Sequence, residues 1–195
     1  MIFISPKTGF AFKRIFGSTE NKDILISFLS ALIYDSEPII QDLEIVDPYN
    51  PGDTISLKDS YLDVKAILND GSNVIIEMQV LDVPAFEKRV IFNLTKAYGN
   101  QLKTGEGYRK LRQVIALTIT DFKMFEETED YISQFVFMEK DKLFNYRDQE
   151  LQMIFVELPK FQKKLEDLET ISDKWIYFMK EAPNLEVIPT SLAEI

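Results

Sequence analysis

The chain has 195 residues, of which 46% are hydrophobic, so it is long and apolar enough for one globular domain with a buried core. It contains 0 Cys and 0 His and carries a formal net charge of −10. The missing Cys and His exclude disulfides, thiolate zinc sites and the Ser-His-Asp and Cys-His nucleophile systems. Any metal must therefore be held by oxygen atoms, which favours Mg²⁺, Mn²⁺ or Ca²⁺.

The negative charge at first argues against nucleic acid as a partner, because phosphate contacts dominate that kind of binding. The charge is unevenly distributed, however. Residues 86–112 hold seven basic and two acidic side chains, which gives +5 within an acidic chain. A local basic surface of this kind keeps DNA binding open.

The longest apolar run, residues 24–34, is interrupted by Ser27 and Ser30 and is too short to span a bilayer. No segment has the pattern of a signal peptide. We therefore expect a soluble cytoplasmic protein with no membrane partner.

The spacing of apolar residues predicts an alternation of helices and strands. In chain order we expect a helix over 21–34, a strand over 39–46, two strands over 61–68 and 73–81, a helix over 86–103, a strand over 114–120, two more strands over 131–138 and 151–156, and helices over 159–168 and 172–181. This predicts one α/β domain with a C-terminal extension.

Two carboxylates interrupt the apolar pattern of the predicted hairpin strands, Asp63 on the first and Glu77 on the second. Together they could bind Mg²⁺ if both lie on one face of the sheet. A two-residue turn would put Asp63 opposite Met78 on the wrong face, whereas a three-residue turn over 70–72 would put it opposite Gln79. Alternatively, the two carboxylates lie on a solvated face or pair with Lys65 or Arg89.

Basic residues offer two candidate DNA contacts. The stretch 6–17 combines Phe10, Phe12 and Phe16 with Lys13 and Arg14, which suits nucleic acid but is more typical of core aromatics beside solvated cations. In the helix expected over 86–103, three basic residues recur every seven positions along one stripe, which suits a phosphate backbone or a plain solvated face. They are Arg89, Lys96 and Lys103.

The ordered set of motifs resembles the PD-(D/E)XK nuclease family transposases, also called recombination-promoting nucleases. The motifs are the opening Pro-Lys-Thr-x-Phe-x-Phe-Lys-x-x-Phe-Gly, the helix Lys-Asp-Ile-Leu-Ile-Ser-Phe-Leu, Leu-Asp-Val-Lys-Ala at 62–66, Ile-Glu-Met-Gln at 76–79, and the later Tyr98, Gln101, Gly105 and Tyr108. The match runs over about 6–125, and the segment 157–160 also fits.

The resemblance implies an α/β, restriction-endonuclease-like fold with a mixed sheet flanked by helices. Residues 1–125 would form the core, and residues 126–195 a C-terminal extension packed on the same domain. It also implies Mg²⁺- or Mn²⁺-dependent cleavage of DNA. It makes Asp63 and Glu77 metal ligands, with Met78 beside them. Gln79 stands in the place of the superfamily's active-site Lys, and Lys65 is a candidate for the missing cation. The DNA contacts expected from the basic pattern are Lys13, Arg89, Lys96 and Lys103.

One departure from the family concerns Gly9, which stands where members usually have Asp. This departure and the net acidity favour a rival interpretation, a non-catalytic module that binds DNA or a protein. The resemblance also implies that the natural chain continues past residue 195. The oligomeric state stays open, with a homodimer as one expectation.

Overall fold

The computed structural model describes residues 4–50, 60–147, 149–192 and 195. Four α-helices are present there: α1 Gly9–Phe16, α2 Lys22–Ile33, α3 Phe86–Gly99 and α4 Ile171–Glu181. The strands are β1 Leu43–Val46, β2 Tyr49–Asn50, β3 Ser60–Tyr61, β4 Val64–Leu68, β5 Asn73–Gln79, β6 Val114–Thr120, β7 Ile132–Val136 and β8 Leu151–Glu157.

Six of these strands form one mixed sheet in the order β1-β4-β5-β6-β8-β7. β1 and β4 pair antiparallel, as do β4 and β5, whereas β5, β6 and β8 run parallel to one another. β7 closes the far edge, antiparallel to β8. β2 and β3 form a separate two-stranded ribbon. The strands from the C-terminal part of the chain thus join the same sheet as those from the first half.

The two faces of the sheet are covered by different helices. One face packs against α1, α2 and α4, where Phe16, Phe28 and Trp175 stack with ring centroids 4.3–5.8 Å apart. The other face packs against α3 through a smaller core. β6 is buried at every position because both of its faces are covered. The α/β fold with a mixed sheet flanked by helices is therefore confirmed.

The main differences from the predicted elements have local causes. No α-helix forms over 159–168: Leu158–Lys160 and Leu165–Asp167 are single 3₁₀ turns. The Lys160 ammonium instead lies inside the protein, 2.7 Å from the Glu157 carboxylate and 2.6 Å from the Phe125 carbonyl oxygen. These tertiary contacts override the helical pattern of the sequence.

Several further elements are shorter than expected, among them the strands predicted over 39–46 and 131–138. The predicted strand over 61–68 is divided into β3 and β4, and α3 ends at Gly99 rather than continuing to residue 103. In α1, Phe12 and Phe16 are buried as core aromatics, but Phe10 is 77% exposed. None of the helices in the described part of the chain has the length and apolar composition that crossing a bilayer requires.

The N-terminus of α4 is fixed by Asp173, a fully buried carboxylate. Asp173 completes a capping box with Thr170 and also accepts hydrogen bonds from Lys163 at 2.7 Å and from the Tyr131 hydroxyl at 3.0 Å. Burial alone would raise the pKa of Asp173, but these hydrogen bonds, led by that from Lys163, hold the pKa below its usual range.

We expect Asp173→Asn to lower the free energy of unfolding by about 1–3 kcal/mol at neutral pH, because it removes charge-assisted hydrogen bonds. The ionised carboxylate is the stabilised form. The difference from wild type should therefore be full above about pH 5 and shrink as the pH falls below about 4 and through the lowered pKa of Asp173 in the folded protein. Urea unfolding at several pH values measures it, with exposed Asp167→Asn as the control. A loss that stays constant into the acid range would contradict this account.

Candidate active site

The turn between β4 and β5 determines which side chains share a face. Three residues, 69–71, form it: the Leu68 amide donates to the Ser72 carbonyl at 2.8 Å, and the Gly71 amide donates to the Leu68 carbonyl at 2.9 Å. Gly71 has a φ of 88°, a conformation that glycine adopts without strain. The three-residue turn that the metal-site hypothesis requires is therefore present, displaced by one residue from 70–72.

With this register, Val64 pairs with Ile76, so Asp63, just before β4, lies across from Glu77. The Asp63 amide donates to the Ile76 carbonyl at 3.2 Å, which extends the pairing. Val64 and Ile76 belong to the core under α1, α2 and α4. Because strand side chains alternate, Asp63 and Glu77 are on the opposite face, on the same side as α3.

Two contacts hold the Asp63 carboxylate, which stays partly exposed. One carboxylate oxygen accepts a hydrogen bond from the Met78 amide at 2.9 Å, and the other lies 3.6 Å from the Lys13 ammonium of α1. Its side chain is 20% exposed. The Met78 amide and the more distant Lys13 ammonium thus position the carboxylate and leave part of it accessible to solvent.

Glu77 is more deeply placed, with a side chain that is 15% exposed. Its carboxylate contacts the Arg89 guanidinium at 2.7 Å and is hydrogen-bonded by the Asn93 side chain. Burial raises the pKa of Glu77; the positive charge of Arg89 opposes the rise, and the negative charge of Asp63 adds to it. The two carboxylates are therefore close enough to repel each other.

Arg89 bridges the two candidate site residues of β5, Glu77 and Gln79. The same guanidinium nitrogen lies 2.7 Å from Glu77 and donates to the Gln79 amide oxygen at 2.7 Å. The Gln79 amide nitrogen donates in turn to the Leu81 carbonyl at 2.5 Å. The pairing of Glu77 with Arg89, left open by the sequence, is thus present here. Arg89 is turned towards the carboxylates, with 40% of its side chain exposed.

The remaining predicted site residues, Met78 and Lys65, lie in different surroundings. The Met78 side chain is buried in the core on the far face, so only its backbone adjoins the carboxylates. Lys65 is on the face of Asp63 by strand alternation. Burial lowers the pKa of Lys65, and the negative charge of Asp47 partly offsets this effect.

The expected basic stripe does not continue along one helix. Lys96 is on α3, with its ammonium 5.4 Å from the Phe92 ring centroid. Lys103 is exposed but lies beyond the end of α3, where its backbone amide donates to Glu106 at 2.8 Å. Lys103 therefore does not share a helical face with Arg89 and Lys96, because the helix stops at Gly99.

Asn93 is a site residue that the sequence reasoning missed. It lies on the buried face of α3 with Val90, Leu94 and Ala97, and only 2% of it is exposed. A polar amide within this apolar helical face was a signal that could have identified it, since buried polar groups need a partner. Here the partner is Glu77.

Comparison with protein families agrees with this arrangement. The family described as PD-(D/E)XK nuclease family transposase matches residues 6–195. The chain belongs to this family. Searches of curated proteins and of solved structures gave no match.

For a PD-(D/E)XK nuclease family transposase, the six-stranded mixed sheet is the expected core, and membership supports a nuclease-type, hydrolytic function with DNA as the substrate class. Over the described ranges, no group of three or more His, Cys, Asp or Glu side chains is arranged to hold a metal ion. Among these residues, a cation at this site would have Asp63 and Glu77 as its carboxylate ligands and would need further oxygen ligands.

We expect Arg89→Ala to lower the free energy of unfolding by about 1–3 kcal/mol, because it leaves the partly buried Glu77 carboxylate without its cation. Urea unfolding in EDTA measures the loss. The neighbouring exposed Lys88→Ala should change stability by no more than about 0.5 kcal/mol. In a Glu77→Gln background, Arg89→Ala should cost less, since the two residues interact. Equal losses in both backgrounds would show that the ion pair does not contribute.

Proposed function

We propose that this protein is a metal-dependent DNA endonuclease in which Asp63 and Glu77 hold Mg²⁺ or Mn²⁺. The observation that carries the proposal is the hairpin register, which puts one carboxylate from each strand on the same face beside Gln79. The family match supports the reaction class, hydrolysis of a phosphodiester.

The residues fit a hard divalent cation. Burial raises the pKa of Glu77, and the negative charge of Asp63 adds to the rise, so a cation bound between the two carboxylates would favour the ionised form of Glu77. Mg²⁺ is commonly held by one or two carboxylates, with waters and substrate phosphates as further ligands. Asp63 and Glu77 supply the carboxylates, and the backbone at Met78 is next to them.

The cation would supply Lewis-acid stabilisation of the charge that develops on the phosphate as water attacks. The protein's own groups orient the reactants. The Gln79 amide can position water through hydrogen bonds but cannot act as a base. Lys13 supplies positive charge beside Asp63, and Lys65 would add a second cation on the same strand face. Arg89 would bind a phosphate oxygen in place of Glu77.

DNA contacts are proposed for Lys13, Arg89, Lys96 and Lys103. Of these, Lys13 and Arg89 adjoin the carboxylates and Lys96 lies on α3, the helix that covers the same face. The proposed partner is DNA, and the proposed setting is the cytoplasm. Tight placement of the scissile phosphate would come from Arg89, because its guanidinium can bind two oxygens at once.

A second candidate function is a binding module without catalysis. The ion pair between Arg89 and Glu77 favours it, because the guanidinium already neutralises one carboxylate. Gly9 favours it as well, because glycine supplies no carboxylate at a position where family members usually have Asp. It is the first residue of α1, one helical turn before Lys13, and a side chain added there would meet open space rather than a steric barrier.

Asp63→Ala and Glu77→Ala should each abolish divalent-metal-dependent nicking of plasmid DNA, while Gln79→Ala should slow it about 10- to 100-fold, because an orienting group contributes less than a ligand. The measurement is plasmid relaxation with Mg²⁺, Mn²⁺ or EDTA. Exposed Asp82→Ala removes the same charge near the end of β5 and should leave the rate unchanged.

Lys65→Ala separates two roles of that residue. It should reduce the rate of nicking if Lys65 is catalytic, and mainly lower the stability of the fold if Lys65 is a counter-ion.

The endonuclease proposal is contradicted if the wild-type protein nicks no DNA with any divalent metal and Gly9→Asp does not produce activity. The open space at Gly9 makes this variant a fair test, because the new carboxylate needs no rearrangement of the backbone. That outcome would favour the binding module.

If Lys96 and Lys103 bind phosphates, replacing both with Ala should flatten the dependence of log affinity on log salt by about two units, one for each phosphate that the protein no longer neutralises. Fluorescence anisotropy with duplex DNA at several salt concentrations measures the slope. Lys140→Ala with Lys142→Ala removes the same charge from the exposed loop after β7 and should leave the slope unchanged. An equal change in both double variants would indicate only a general charge effect.

A further inference from the structure

A cavity of about 610 Å³ adjoins Glu77 on the α3 side of the sheet. We call it the side cavity; its walls include Glu77, Ser60 and Tyr61 from the strands, and Lys88, Phe92 and Asn93 from α3. Its size is within the range of small-molecule pockets. Because Glu77 belongs both to the proposed cutting site and to this wall, a ligand bound here would lie directly beside the scissile phosphate.

Two of the side cavity's walls are aromatic rings that the protein leaves open. Tyr61 is 73% exposed and Phe92 is 41% exposed. The Tyr61 ring is supported by Tyr49, with centroids 5.1 Å apart, and the Phe92 ring lies under the Lys96 ammonium. Open, supported aromatic rings near cations are the kind of surface on which unpaired bases stack.

The polar lining of the side cavity has unused hydrogen-bonding capacity. Asn93 is 2% exposed, and its amide is hydrogen-bonded to Glu77, yet its Oδ1 has no hydrogen-bond partner among the described residues. The same holds for Ser60 Oγ and Arg89 Nε. Buried polar atoms are rarely left unpaired, since each costs free energy. The edge of a base carries both donors and acceptors that would pair with such atoms once a side-chain rotation turns them towards the cavity.

We infer that the side cavity binds one unpaired DNA base next to the phosphate that is cut at Asp63 and Glu77. This inference rests on the proposed nuclease function and adds a substrate class to it. Tyr61 and Phe92 stack on the base, Asn93 and Ser60 meet its polar edge, and Lys88 lies near the adjoining backbone. In an intact duplex the base is stacked and paired, so the site selects single-stranded or locally opened DNA.

The test is binding in EDTA, which separates base recognition from cleavage. Fluorescence anisotropy compares a labelled single-stranded oligodeoxynucleotide with an abasic sugar-phosphate strand of the same length. Tyr61→Ala and Phe92→Ala should each weaken binding of the base-containing strand about tenfold and leave binding of the abasic strand unchanged. Both side chains are partly exposed, so the fold should survive. Tyr146→Ala, at a tyrosine 66% exposed outside this cavity, is the matched control and should bind like wild type.

The inference is overturned if the wild-type protein binds both strands equally, or if the two variants lose affinity for the abasic strand as well. Its failure is distinguishable from failure of the proposed function. A protein that nicks plasmid DNA but does not distinguish the two strands refutes the base site alone. A protein that binds base-containing strands through Tyr61 and Phe92 but nicks nothing refutes the endonuclease alone.

Discussion

The register of the hairpin between β4 and β5 is the constraint on which the site depends. The three-residue turn ending at Gly71 pairs Val64 with Ile76 and therefore puts Asp63 across from Glu77. A slip of one residue would move one carboxylate into the apolar core on the other face, where an unpaired charge is costly. The Met78 amide donates to the Asp63 carboxylate and so stabilises this register beside the two carboxylates.

Charge balance around Glu77 follows from that register. Two carboxylates on one partly buried face repel each other, and the Arg89 guanidinium offsets part of this by contacting Glu77 and Gln79 together. α3 therefore also contributes two side chains to the site: the positively charged guanidinium of Arg89 and the amide of Asn93, which both contact Glu77. The same helix forms a wall of the side cavity, so metal binding, phosphate binding and base binding would all depend on its placement.

The sequence predicted the alternating elements well where the pattern is strong and local. The buried strand over 114–120 is confirmed residue for residue, because an apolar β-branched run has no solvated face to obscure its bounds. The odd-numbered turn was also required by the sequence argument. Its position, the end of α3 at Gly99 and the loss of helix over 159–168 were not predictable, since they depend on tertiary contacts such as the buried pair of Glu157 and Lys160. At the site, the roles of Asp63 and Glu77 remain predictions.

The central claim is that Asp63 and Glu77 form a site for a divalent cation. A crystal structure of the protein grown with Mn²⁺, with anomalous diffraction data, tests it most directly. The account predicts an anomalous peak bonded to both carboxylates, at about 2–2.5 Å, with Arg89 drawn away from Glu77. A map without a peak there, in which Arg89 still contacts Glu77 in saturating Mn²⁺, would contradict the claim.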